Sequence, residues 1–151
     1  MKPVTVQVIV NIPRQAAFAA FTNGFFDWWP RDYSYSGHLV EGLVIGDCEG
    51  AFCSEFGPDG FRIDFGRVLE WSPPDRLVIS WAISPESRPE PDPSKASEVT
   101  VEFSPEGETT RVRLTHQKFE RHGDGAGGYA EEMGSEMGWP HILERFRASV
   151  G

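Results

Sequence analysis

Apolar residues recur at every second position in rows from Phe61 to His116, and at every third or fourth position from Tyr129 to Val150. A strand sends successive side chains to opposite faces, whereas a helix gathers positions i, i+3 and i+4 on one side. The change of period therefore requires a sheet followed by a helix. Four rows carry the first pattern: Phe61, Ile63 and Phe65; Leu77, Ile79, Trp81 and Ile83; Val99, Val101 and Phe103; and Val112, Leu114 and His116. Pro73-Pro74-Asp75 and the segment SPEGE are turn signals, and SPESRPEPDPSKAS reads as an extended exposed loop. Consecutive strands joined in this way form an antiparallel meander. In the last segment Tyr129, Met133 and Met137 step by four, followed by Ile142, Leu143, Phe146 and Val150. That stripe predicts one helix of about twenty residues, roughly 30 Å long, kinked at Pro140.

Upstream, Val4, Val6, Val8 and Val10 alternate as a strand, and Pro13 suits a first helical turn capped by Asn11. Ala17, Phe18, Phe21 and Phe25 recur at helical spacing, with a break at Asn23-Gly24. FFDWW then predicts a second, very short helix ending before Pro30. From about residue 39 period two returns, and DCEGAFCSEFGPDG gives a strand ending in a Pro-Asp-Gly turn. The fold class is α+β, as a single domain over residues 1–151, with two short helices after the first strand. An antiparallel sheet with one apolar face and a helix with one apolar stripe must cover each other. Each large side chain buried between them contributes about 1.5–3 kcal/mol.

Charge narrows the function. The chain carries 14 basic and 23 acidic residues, a net charge of −9, and no basic stripe. Nucleic acid requires Lys and Arg to displace counterions, so it is not an expected partner. No apolar run reaches the roughly 20 residues of a membrane span, and the alternating amino terminus is no signal peptide. Cys48 and Cys53 lack both the ligand count of a zinc site and the spacing of a redox pair. The expectation is a cytoplasmic protein with reduced thiols, no metal and no cofactor. Neither a phosphate-binding glycine loop nor a nucleophile motif is present.

Several segments in order resemble the bacterial activator-of-heat-shock-protein-ATPase-like family of the START/Bet v 1-like superfamily. They are FGRVLEWSPPDRLVISW, Phe65 to Trp81, whose strand-pair pattern falls on Val68 to Trp81, the strand TRVRLTH from Thr110 to His116, GWPHIL from Gly138 to Leu143, and FFDWWP after the first helix. The resemblance implies a helix-grip fold, a curved antiparallel sheet wrapped around a long carboxy-terminal helix with a cavity between them. Members of that superfamily include lipid carriers, hormone receptors, polyketide cyclases and co-chaperone domains, so the fold alone does not name an activity. The implied function is binding of a small hydrophobic or amphipathic ligand. The alternatives are a cavity enzyme of polyketide-cyclase type and a co-chaperone-like interaction domain, as a monomer or homodimer.

Parity selects the candidate ligand-binding residues. Phe52, Ile63, Phe65, Trp81 and Phe103 read as inward on the strands, and Met137 and Trp139 lie on the final helix. His116 shares the inward row of Val112 and Leu114, either as a core histidine bonded to its neighbours or as a polar anchor for a ligand. Of the two indoles in FFDWWP, Trp28 is expected at the pocket and Trp29 in the core. Glu55 has the parity of Cys53, and the inward face of that short strand stays undecided. Asp64 reads as outward, and Asp27 as a turn partner. Tyr33 and Tyr35 read either as hydroxyls at the pocket mouth or as ordinary surface-loop residues.

Overall fold

The computed structural model describes residues 1–151. Seven strands form one antiparallel sheet: β1 (Val4–Val10), β2 (Gly42–Ile45), β3 (Phe52–Phe56), β4 (Arg62–Ser72), β5 (Arg76–Trp81), β6 (Ser97–Glu106) and β7 (Thr109–Gln117). Their order across the sheet is β1-β7-β6-β5-β4-β3-β2. The meander thus runs through β2 to β7, and the first strand returns to pair with the last, Val4 opposite His116 and Val10 opposite Thr110. The expected rows hold on β5 to β7, where Leu77, Ile79, Trp81, Val99, Val101, Phe103, Val112, Leu114 and His116 are all buried.

Two short helices, α1 (Arg14–Thr22) and α2 (Phe25–Trp28), follow β1. Pro13 precedes α1 as its extended N-cap residue, and no side chain caps the helix, so the expected Asn11 cap is absent. The carboxy-terminal stripe is divided between α3 (Ala126–Gly134) and α4 (Trp139–Val150), instead of forming one kinked rod. Pro140 does not cause a mid-helix kink. It sits in the first turn of α4, where its missing N–H would have had no intrahelical partner. The chain breaks instead at residues 135–138. A Cβ on Gly138 would come within 2.2 Å of the Met133 carbonyl oxygen, so only glycine permits this close passage.

The inner face of the sheet packs against α1, α2 and α4 through one continuous cluster that includes Phe18, Phe21, Trp28, Phe103, Leu143 and Phe146. No helix is long and apolar enough to cross a membrane. The expected exposed loop after β5 is partly tied down. Ile83 bridges Pro89, and the Glu90 amide donates to the Ala82 carbonyl at 2.8 Å. That tether folds Pro85 and Ser87 back over one end of the sheet, where they become part of a cavity wall.

Candidate functional site

The two tryptophans of FFDWWP part company because consecutive residues point in different directions from a helical turn. Trp28, the last residue of α2, is 2% exposed and packs on Phe21 at 4.8 Å and Phe146 at 5.1 Å between ring centroids. Trp29 leaves the helix in an extended conformation. It lies 6.1 Å from both Trp81 and Trp139 and faces a cavity of about 460 Å³. Trp28 lies in the core instead of at the pocket, and Trp29, buried in the same core cluster as expected, also borders the cavity.

Three elements converge on this cavity. Trp29 and Tyr33–Tyr35 come from the connection between α2 and β2, Ile83 and Pro85 from the tethered loop, and Tyr129, Met133 and Met137 from α3 and the break that follows it. The break between α3 and α4 contributes Ser135, Met137 and Gly138 to the wall. A narrower inner crevice shares Trp29, Tyr33, Tyr35 and Ile83 with the cavity and continues past Phe65 and Trp81 to Glu55. The wall combines aromatic and aliphatic side chains with polar ones, among them Asp32, Ser34, Glu132 and Ser135, while the inner crevice is mostly apolar, the usual make-up of a small-molecule site.

The tyrosine hydroxyls define its polar character. Tyr129 accepts a hydrogen bond from Trp81 Nε1 at 2.8 Å and donates to the Ile83 carbonyl at 2.9 Å. Tyr33 donates to the Met137 carbonyl at 2.8 Å, joining the two sides of the cavity. The Tyr35 hydroxyl has no partner and is the one buried side-chain polar atom left so. Burial, and secondarily the Glu55 carboxylate, pushes the Tyr35 phenol up to about 12. Burial also raises Tyr33, with a smaller contribution from Asp32, and raises Tyr129 against the opposing Trp81 hydrogen bond. All three are protonated donors at neutral pH and none is a base.

Glu55 settles the orientation of β3. It is 2% exposed on the inner face, and its two carboxylate oxygens accept the backbone N–H groups of Tyr35 at 2.9 Å and Ser36 at 2.7 Å. Cys53 is inward with it, and burial raises its thiol to about 12. Phe52 consequently points outward, against expectation. It is 41% exposed, with the Arg67 guanidinium 4.2 Å from its ring centroid. Alternation holds on β3, with Cys53 and Glu55 both inward, and the extra residue at the register shift, Phe65, lies on β4. The polar Glu55 takes the inward face because two main-chain N–H groups satisfy it. Ser54 and Arg62 bind Asp64 on the outer side, at 2.6 and 3.0 Å.

His116 is fully buried behind the cavity wall and lines neither the cavity nor the crevice. Its Nδ1 accepts the Trp139 indole N–H at 3.0 Å, which places the ring proton on Nε2. Nε2 then donates to Ser97 Oγ at 2.7 Å, and that hydroxyl donates to His122 Nε2 at 2.8 Å. Burial, assisted by His122, depresses the His116 imidazole to about 3. Of the two readings open in the sequence, the geometry is that of a core histidine with both nitrogens engaged. Trp139 lies between this chain and Trp29, 2% exposed. Phe103 packs far from the cavity on Phe18 and Phe21, at 5.2 and 5.8 Å. Ile63 sits opposite Glu55 but borders neither space. Trp81 and Phe65 line the crevice, and Met137 lies on the cavity rim, 63% exposed. Trp29, Ile83, Pro85, Tyr129 and Met133 line the cavity but are not among the ligand-binding residues that the sequence selects. The signal for Tyr129 and Met133 was their shared stripe with Met137.

No group of three or more His, Cys, Asp or Glu side chains is placed to hold a metal ion.

Comparison with known proteins agrees with this architecture. The family described as Activator of Hsp90 ATPase homolog 1-like protein matches residues 11–151. No curated protein matches the chain. An anthrahydroquino-gama-pyrone synthase is similar at 34% identity over 99% of this chain and 97% of its own, with a TM-score of 0.70. The self-sacrificing resistance protein CalC from Micromonospora echinospora is similar at 31% identity over 98% of this chain and 93% of its own, with a TM-score of 0.72. An Aha1 dimer from Colwellia psychrerythraea shares the fold at 17% identity and a TM-score of 0.61, covering 99% of this chain and 96% of its own. Helix-grip architecture, family and neighbours fit a domain built around a binding cavity.

Proposed function

This chain belongs to the Activator of Hsp90 ATPase homolog 1-like family, and from that premise we propose that it binds a small, flat, apolar or amphipathic molecule in the cavity beside α3. The observation that carries the reading is a space of about 460 Å³ walled by Trp29, Tyr33, Tyr35, Ile83, Tyr129 and Met133. Planar aromatic walls favour a ring system, because offset and edge-on aromatic pairs add about 0.5–1.5 kcal/mol each to the area they bury. The likeness to a synthase of fused-ring pyrones supports the same class of ligand.

The test is a titration with 1,8-dihydroxyanthraquinone, read by quenching of tryptophan emission, on the native protein and on Ile83→Trp. Ile83 borders both cavity and crevice, so an indole there fills the space from its middle. Saturable quenching in the native protein and none in the folded variant is the expected result. Equal binding by both would place the ligand elsewhere.

A second reading is favoured by the 34% identity to a synthase: the cavity also transforms its ligand. Asp32 and Glu132 line the cavity and are the available carboxylates for proton transfer. A change in ligand mass on incubation, lost in Glu132→Gln or Asp32→Asn, separates catalysis from binding.

A further inference from the structure

Three tyrosines line the cavity, and two have already spent their protons on the main chain. Tyr33 donates to the Met137 carbonyl, and Tyr129 donates to the Ile83 carbonyl. Only the Tyr35 hydroxyl is buried without a partner. Such a group costs about 1–3 kcal/mol unless something accepts its proton. Its position is nevertheless enforced. The Glu55 carboxylate, itself 2% exposed, grips the backbone N–H groups of Tyr35 and Ser36, and no cation neutralises it. A buried carboxylate used to hold a loop in place, with an unpartnered donor carried on that same loop, is the arrangement of a pre-set binding group.

Resting on the cavity reading above, we infer that Tyr35 is the specificity-determining donor of the site, selecting apolar ring ligands that carry a carbonyl oxygen, and that Glu55 is its positioning residue. Burial keeps the phenol protonated at neutral pH, so the group it seeks is an acceptor. A hydrocarbon of the same shape fills the cavity but leaves the Tyr35 hydroxyl as it was. Glu55→Gln retains one carboxamide oxygen for one N–H and turns an NH₂ donor toward the other, releasing the loop.

The experiment compares 9-fluorenone with fluorene, which differ only in the carbonyl, by equilibrium dialysis against the native protein, Tyr35→Phe and Glu55→Gln. The native protein is expected to hold fluorenone about five- to tenfold more tightly than fluorene, the value of one hydrogen bond in a dry site. Tyr35→Phe should bring fluorenone down to the level of fluorene and leave fluorene unchanged. Glu55→Gln should also erase the preference, and the double variant should show no further loss of it. A merely structural Glu55 would weaken both ligands together and keep their ratio. A preference that survives in Tyr35→Phe overturns the inference while leaving the cavity reading intact. Failure of both probes to bind the native protein refutes the cavity reading, and this one with it. A readout without ligand stands beside these: removing an unpartnered hydroxyl should leave the melting temperature of Tyr35→Phe unchanged or raised. A clear fall would mean that the hydroxyl already has a partner in the free protein, which also overturns the inference.

Discussion

Lowering the pH should destabilise this protein through one buried imidazole. His116 has an ordinary value of 6.5 in the unfolded chain and is held at about 3 in the folded one. Because the folded value is the depressed one, the unfolded chain takes up the proton first. Its contribution is complete above pH 6.5 and is lost as the pH falls toward 3, at about 1.4 kcal/mol per pH unit. From pH 7.5 to pH 4.5 the loss due to His116 amounts to about 3 kcal/mol, a large share of the 5–15 kcal/mol typical of a domain. The cause is structural. Trp139 occupies Nδ1 as a donor, so a second ring proton would face an N–H that cannot accept it. The assay is urea unfolding followed by tryptophan emission at both pH values, on the native protein and on His116→Gln. Glutamine offers one acceptor and one donor but does not titrate. The variant should start less stable at pH 7.5, yet lose about 3 kcal/mol less than the native protein on acidification. The carboxylates Asp64, Asp92 and Glu144 titrate in both proteins and cancel in the comparison. His122, by contrast, is joined to His116 through Ser97, so any change in its own titration forms part of the measured difference. An equal loss in both proteins would refute the reasoning.

Two further substitutions test the division of labour around the cavity. Trp28→Ala should cost about 3–5 kcal/mol of stability by opening a hole among Phe21, Phe25 and Phe146. Trp29→Ala should cost less and abolish dihydroxyanthraquinone binding, and calorimetry with the quenching titration distinguishes the two. Gly138→Ala should lower the melting temperature by several degrees, because the added Cβ meets the Met133 and Glu132 carbonyls at 2.2 and 2.6 Å. Since that passage separates α3 from α4, ligand affinity should fall with it.

The parts of the fold that depend on period were legible in the residues. Every position assigned inward within β5, β6 and β7 is buried, although Val78 and Thr100 between them are buried as well, and Ile83, assigned to the same row, lies beyond β5 and is half-buried. On β3 alternation alone does not say which face is inward: Cys53 and Glu55 share the inner face and Phe52 lies outside beneath two arginines. No periodicity encodes a carboxylate satisfied by two backbone amides of a distant loop. Pro140 carried a misleading signal for a related reason. Its penalty applies in a helix interior, and the true boundary was set by the close passage at Gly138. The cavity was the least legible feature, because its walls come from connections. Tyr33 and Tyr35 stand between β2 and α2, and Pro85 and Ser87 in a loop held by the Glu90 amide. His116 was correctly placed inside, but its role depended on Trp139, Ser97 and His122, which converge only through tertiary contacts.

The central claim is that the space between Trp29, Tyr35 and Tyr129 is a ligand site. Its most direct test is native mass spectrometry of the protein incubated with excess 1,8-dihydroxyanthraquinone, alongside Ile83→Trp treated identically. The account predicts a one-to-one complex for the native protein that disappears on denaturation, and a bare mass for the variant. A bare mass for both, or the same complex in both, would contradict it.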